Sequence, residues 1–152
     1  MGGDDFFFMG AALEEAEKAY RLGEVPVGAV LLAPDGLVLA RAHNMPISSK
    51  DCTAHAEVVA MRKACAAQAN YRLSGTIMYV TLEPCAMCVG AMLHARVSRL
   101  VFGAFDPRGG AAGSVVDLTA VARFNHRIEV AGGVMAEKCA GILQSFFRAR
   151  RA

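Results

Sequence analysis

Two short runs in this 152-residue chain have the residue types and spacing to do chemistry: His55-Ala56-Glu57, and Cys85-Ala86-Met87-Cys88 directly after Pro84. Zinc is bound by neutral imidazole nitrogen and thiolate sulfur, and a catalytic zinc site keeps three protein ligands and leaves a fourth position to water. His55, Cys85 and Cys88 supply three. A structural site takes a fourth ligand, for which His43 and Cys52 are the nearest spares, so counting alone leaves that alternative open, as it does a redox CxxC pair. Each run opens a helix. Unpaired N–H groups and the helix dipole lower a thiol pKa there, and metal binding requires the thiols to lose their protons. Zinc brings the pKa of a bound water from about 15.7 to about 7. Glu57, two residues beyond His55, points away from the ligand direction, so it can shuttle that water's proton to a leaving amine without being a ligand.

The elements that must position these groups follow from hydrophobic spacing. Met9, Ala12, Leu13, Ala16, Ala19 and Tyr20 predict an amphipathic helix of about four turns ending near Gly23. Val25 to Leu32 is apolar, β-branched and short, a buried strand. The turn Pro34-Asp35-Gly36 returns the chain into a second strand, Leu37 to Ala42, making a hairpin. His43 to Cys52 is a polar loop. Thr53 to Ala69 is a helix, Thr76 to Leu82 a strand, Pro84 to Ala95 a helix and Val97 to Phe102 a strand. Gly103 to Ser114 is a glycine-rich loop. Arg127 to Val130 is a fifth strand, and Val134 to Arg151 a closing helix. Strands that alternate with helices pair in parallel and carry helices on both faces. The expectation is therefore an α/β fold: a three-layer α/β/α sandwich around a mixed five-stranded sheet, as one domain over residues 1–152.

Composition bounds the function classes. The chain is 55 % apolar, and a chain of this length buries roughly two-thirds of its unfolded surface, which excludes general disorder. The longest apolar stretch, Val25 to Ala33, is about half a membrane span and is broken by Pro26 and Gly28. The net charge is only +2, although twelve of the sixteen basic residues are Arg and three of them close the chain. Five cysteines at uneven spacing do not make a disulfide framework. The N-terminus has no basic n-region and its apolar patch is short for a leader. A cytoplasmic location is expected.

The H-x-E and P-C-x-x-C runs together form the signature of the zinc nucleobase deaminases. Val25-Pro26-Val27-Gly28-Ala29-Val30, Thr53-Ala54-His55-Ala56-Glu57, Asn70-Tyr71-Arg72-Leu73 and Tyr79-Val80-Thr81-Leu82-Glu83-Pro84-Cys85 resemble the bacterial tRNA-specific adenosine deaminases, within the cytidine/deoxycytidylate deaminase superfamily. So do Val101-Phe102-Gly103-Ala104, Gly110-Ala111-Ala112-Gly113-Ser114, Asn125-His126-Arg127 and Phe146-Phe147-Arg148. The resemblance runs from about Ala11 to Arg151. It implies the cytidine-deaminase-like fold, a homodimer with one zinc ion per subunit, and hydrolytic deamination of adenosine to inosine at the wobble position of a tRNA anticodon stem-loop. By motif match it implies His55, Cys85 and Cys88 as zinc ligands and Glu57 as the catalytic proton shuttle. It further implies that Asn44 contacts the flipped base, that Asp106 lies beside the nucleotide backbone, and that Phe146, Phe147 and Arg148 touch the anticodon loop.

Each of these substrate residues also has a plainer reading. Asn44 is a frequent turn former, Asp106 before Pro107 a turn starter, and at least one of Phe146 and Phe147 belongs in the core. Arg148, Arg150 and Arg151 also suit an ordinary helix C-terminus. Cys52 stands where the resembled family commonly has Pro, and the chain stops almost at Arg151 where relatives often carry a longer basic tail. A deaminase of a free nucleobase or nucleoside, of guanine or cytosine type, shares the same zinc motif and is the alternative function.

Overall fold

Alternation along the strands decides which face each helix covers. Strand β1 (Gly28–Leu32) is buried throughout; Ala29 and Leu31 join one apolar layer, Val30 and Leu32 another. Strand β3 (Ile77–Leu82) sends Met78 and Val80 to the first layer and Tyr79 to the second. Strand β4 (Arg99–Ala104) divides in the same way over Leu100 and Phe102 against Val101, and Ala104 at the strand end departs from the alternation by joining the second layer. Period-two side chains that are apolar on both faces require cover on both. Helices α3 (Ala56–Gln68) and α4 (Ala86–Ala95) cover the first face; α1 (Gly3–Arg21) and α5 (Ala136–Arg151) cover the second.

Strand β2 (Val38–His43) and the short β5 (Glu129–Ala131) complete a sheet of order β2-β1-β3-β4-β5. The β2/β1 and β1/β3 pairs are antiparallel, and β3/β4 and β4/β5 are parallel. This is the expected three-layer sandwich on a mixed sheet. The computed structural model describes residues 3–151; Met1, Gly2 and Ala152 of the expected 1–152 domain lie outside the described residues. No helix among the described residues is long and apolar enough to cross a membrane.

The strand directions gather the site. The parallel strands β3 and β4 end at one edge, and antiparallel β1 begins there, Ala29 facing Val80. At the same edge β2 ends, His43 against Gly28, and the Asn44 N–H donates to the Val27 carbonyl at 3.0 Å. Gly28 is required by proximity: an added Cβ would overlap the Ala12 carbonyl and the Ala16 nitrogen of α1.

Most element ends shift by two or three residues from the sequence expectation, and three differences have a visible physical cause. Helix α1 begins at Gly3, not near Met9. Phe6 and Phe7 point to solvent and break the apolar period, whereas Asp5 turns inward, accepting the Tyr79 hydroxyl at 2.7 Å and two Arg99 N–H groups at 3.0 Å. Within the expected loop 43–52, Pro46 opens a one-turn helix, α2 (Pro46–Ser49). Buried Glu24 fixes it by accepting the N–H groups of Ile47 and Ser48, at 3.2 and 2.6 Å. Helix α4 starts at Ala86 rather than Pro84, because Cys85 keeps extended backbone angles as the N-cap.

Candidate metal centre

His55 and Cys85 are both helix N-caps, of α3 and α4, and neither side chain is committed to a capping hydrogen bond. Both are therefore free to point across the gap between the two helix starts. His55 Nδ1 lies 3.6 Å from Cys85 Sγ and 3.6 Å from Cys88 Sγ, and the three ligand atoms lie within 4.8 Å of one another. With Zn–S of about 2.3 Å and Zn–N of about 2.0–2.1 Å, a tetrahedral ion sets a nitrogen–sulfur edge of roughly 3.6 Å. The donor set and its spacing fit zinc. Among the described residues no fourth His, Cys, Asp or Glu joins the cluster. His43 Nδ1 is engaged with the Asn44 carbonyl at 3.0 Å, and Cys52 is exposed. The sequence left a four-ligand structural site open; the fold supplies three ligands.

Electrostatics at the cluster suit metal uptake. The Cys88 thiol bonds to Cys85, which with the His55 imidazole holds the Cys85 thiol down to about 3. Cys88 is pushed the opposite way by that same hydrogen bond and by burial. The two sulfurs thus share a proton that metal binding displaces. The hydrogen bond with Cys85 raises His55, against the opposing effect of burial. Glu57, 3 % exposed in the first turn of α3, is pushed up to about 7 by burial, with its own backbone N–H and His55 pulling back. A carboxyl near 7 is poised to accept and return a proton at neutral pH.

Asn44 is buried at the same edge. Its Oδ1 accepts the Ala56 N–H at 2.8 Å, supplying the cap that His55 does not make. Among the described residues its Nδ2 has no protein acceptor. The Asp106 carboxylate accepts the N–H groups of Arg108 and Gly109, at 3.0 and 3.2 Å, so it shapes its own turn, as the plainer reading of Asp-Pro expects. The terminal aromatics separate. Phe146 is 5 % exposed, packing against Tyr20 and Phe147 with Arg150 over its ring, while Phe147 is 43 % exposed. Arg148 is exposed. Helix α5 lies over the site end of the sheet on the opposite face: Arg150 donates to the Gly23 carbonyl, and Cys139 fills the space beside Gly103 and Thr81.

Sequence reasoning passed over Glu83, the residue between β3 and Pro84. It is 2 % exposed and accepts four hydrogen bonds from the β4–β5 loop. Burial alone would raise its carboxyl; the Ser114 hydroxyl and the N–H groups of Asp106, Ser114 and Ala112 outweigh burial and hold it below the ordinary value. The available signal was a carboxylate directly after a mostly apolar strand and two residues before the ligand Cys85.

Comparison with known proteins places this geometry. The cytidine and deoxycytidylate deaminase zinc-binding region matches residues 3–104. The tRNA-specific adenosine deaminase of Bacillus subtilis is 48 % identical over 147 residues, 97 % of this chain and 91 % of that one. A solved structure from studies of A-to-I editing by tRNA:A34 deaminases at the wobble position of transfer RNA superposes with a TM-score of 0.87 at 45 % identity, covering 90 % of this chain and 99 % of that one. A guanine deaminase from Nitrosomonas europaea superposes at 0.80 with 23 % identity over 93 % of this chain and 83 % of its own, a likeness of fold alone.

Proposed function

The chain belongs to the cytidine and deoxycytidylate deaminase family and groups within it with the tRNA-specific adenosine deaminases, and from that premise we propose that it converts adenosine to inosine at the wobble position of a tRNA anticodon loop. A buried Glu57 two residues along the same helix start from His55, beside a cluster of three ligands, supports the deamination chemistry, and the observation that favours tRNA over a free base is the 48 % identity over 147 residues to a tRNA-specific adenosine deaminase.

His55 Nδ1 and the sulfurs of Cys85 and Cys88 would hold a zinc ion. Bound there, it would supply Lewis-acid chemistry, lowering the pKa of a water to about 7. Glu57 is the group that would take a proton from the attacking water and deliver it to the departing amine. The balance is one water consumed: a C–O bond forms at C6 of the adenine, the C6–N bond breaks, and ammonia leaves. Burial serves this role, since a solvated carboxylate would hold the proton too weakly to carry it. Asn44, its acceptor committed to Ala56, offers the Nδ2 donor to an acceptor on the base edge. Phe147 and Arg148 offer an aromatic face and a cation to unstacked loop nucleotides, with Phe146 supporting them from beneath. Asp106 sits in the turn that flanks the nucleotide backbone. Anticodon-loop bases are already poorly stacked, so extruding one costs less than in a duplex. The protein acts in the cytoplasm as a homodimer with one zinc per subunit.

The test is a synthetic anticodon stem-loop with adenosine at the wobble position, digested after incubation and examined for inosine by mass. The intact protein yields inosine and Glu57→Ala does not, although the variant still carries zinc. Free adenine, guanine, cytosine and their nucleosides run alongside. Ammonia from one of these, with no inosine in the stem-loop, would move the protein to the free-base deaminases.

A further inference from the structure

The loop of residues 105–128 joins two parallel strands without a helix of its own, and its internal bonds, such as Gly110 N–H to the Asp106 carbonyl and Leu118 N–H to the Ala111 carbonyl, tie it to itself but not to the strand end that carries Cys85. A buried carboxylate makes that attachment. Glu83 Oε1 accepts the Asp106 N–H at 3.0 Å and the Ser114 hydroxyl, and Oε2 accepts the N–H groups of Ala112 and Ser114, at 3.1 and 3.0 Å. Next to it the Pro84 carbonyl accepts the Ala111 N–H at 2.8 Å. Ala111 and Ala112 pack into the apolar layer that also takes Cys85. Gly110 leaves the space: a Cβ there would lie 2.3 to 2.5 Å from the Glu83 carboxyl atoms.

We propose that Glu83 is a positioning residue for the deamination: its carboxylate pins the loop over 106–114 against the strand end that carries Cys85, forming the wall that orients the nucleotide beside the metal. The inference rests on the tRNA-deaminase reading of the site and goes beyond it, since Glu83 touches neither the cluster nor the base. All four donors converge on two oxygens, so the charge and both oxygens are needed. Glutamine offers one oxygen and sets an NH2 group against N–H groups that have nowhere else to bond. Because Cys85 is held by its own N-cap geometry, the wall can loosen while the ligand stays.

The test uses the zinc-loaded protein and the anticodon stem-loop. Glu83→Gln is expected to keep one zinc per chain and to lose on the order of a hundredfold in kcat/KM, most of it in kcat, as expected when positioning is lost by about an ångström. Amide exchange speeds up at Asp106, Ala112 and Ser114 and not in α3. Gly110→Ala reproduces both effects by driving its methyl into the carboxylate. In a Glu83→Ala background Gly110→Ala adds no further loss, because the colliding group is gone. Wild-type kcat/KM in Glu83→Gln, unchanged exchange over 106–114, or loss of zinc in step with activity would each overturn the proposal. An intact protein inactive on the stem-loop would instead overturn the substrate reading, and exchange alone would then decide whether Glu83 holds the loop.

Discussion

Asn44 Oδ1 accepts the Ala56 N–H at 2.8 Å, so one loop residue caps the helix that presents both His55 and Glu57. Capping and the proposed base contact are therefore separable within one side chain. Aspartate caps a helix about as well as asparagine but lacks the Nδ2 donor. Asn44→Asp is expected to keep zinc and thermal stability while losing about tenfold or more in kcat/KM, the worth of one hydrogen bond. Asn44→Ala loses both functions and about 1 kcal/mol or more of stability. Thermal denaturation and stem-loop kinetics on the two variants check this.

The ligand set predicts a strict metal requirement. Chelation abolishes inosine formation, zinc restores it, and the melting temperature rises with added zinc because the ion binds only the folded chain. Cys88→Ser, in the buried ligand, loses zinc and at least about a thousandfold in activity, since several kcal/mol of charge stabilisation depend on the ion. Metal analysis and turnover are read on the same sample; full activity in a zinc-free variant would refute the assignment.

Neighbouring aromatics on α5 part company. Phe146→Ala empties a site between Tyr20 and Phe147 and costs about 3–5 kcal/mol. Phe147→Ala, at a half-exposed ring, changes stability by about 0.5 kcal/mol or less but raises KM for the stem-loop several-fold. Arg148→Ala weakens binding and flattens its salt dependence by roughly 0.7 to 0.9 of a unit slope if it meets one phosphate. Urea denaturation and a salt titration separate the three.

Asp5 gives the protein an acid limit. The Arg99 guanidinium holds its carboxyl below the ordinary value; burial opposes this, and the Tyr79 hydroxyl assists. The folded form binds the proton more weakly than the unfolded chain. The contribution is therefore complete above the ordinary aspartate pKa near 4 and is lost as pH falls through the lower folded value. Asp5→Asn breaks a bidentate pair whose carboxylate is buried, and costs about 3 kcal/mol at neutral pH. The gap between variant and parent melting temperatures closes as pH drops below about 4; a constant gap would show that Asp5 acts by packing alone.

What the sequence disclosed, and what it hid, divides by distance along the chain. The metal ligands were legible because each sits within four residues of its motif partner and next to a helix start that hydrophobic spacing already marks. Layer order was legible because β1, β3 and β4 are apolar on both faces. Asp5 was hidden because its partner Arg99 lies 94 residues away, and the exposed Phe6 and Phe7 around it break the periodicity that would have extended α1. The one-turn α2 has no period to detect; it exists because Glu24, more than twenty residues earlier, binds its first N–H groups. Glu83 was hidden for the same reason, its four donors lying 23 to 31 residues downstream.

Three of the four bonds on Glu83 come from the peptide backbone, which every residue type except proline provides. Of the side chains they hold in place, only that of Ser114 contributes, while Gly110, Gly113 with its positive φ and buried Ala111 are barred from growing. Exposed positions of the same loop, such as Arg108, can therefore change in identity while the loop keeps its path. One carboxylate thus fixes the course of a segment whose outward side chains stay open to change.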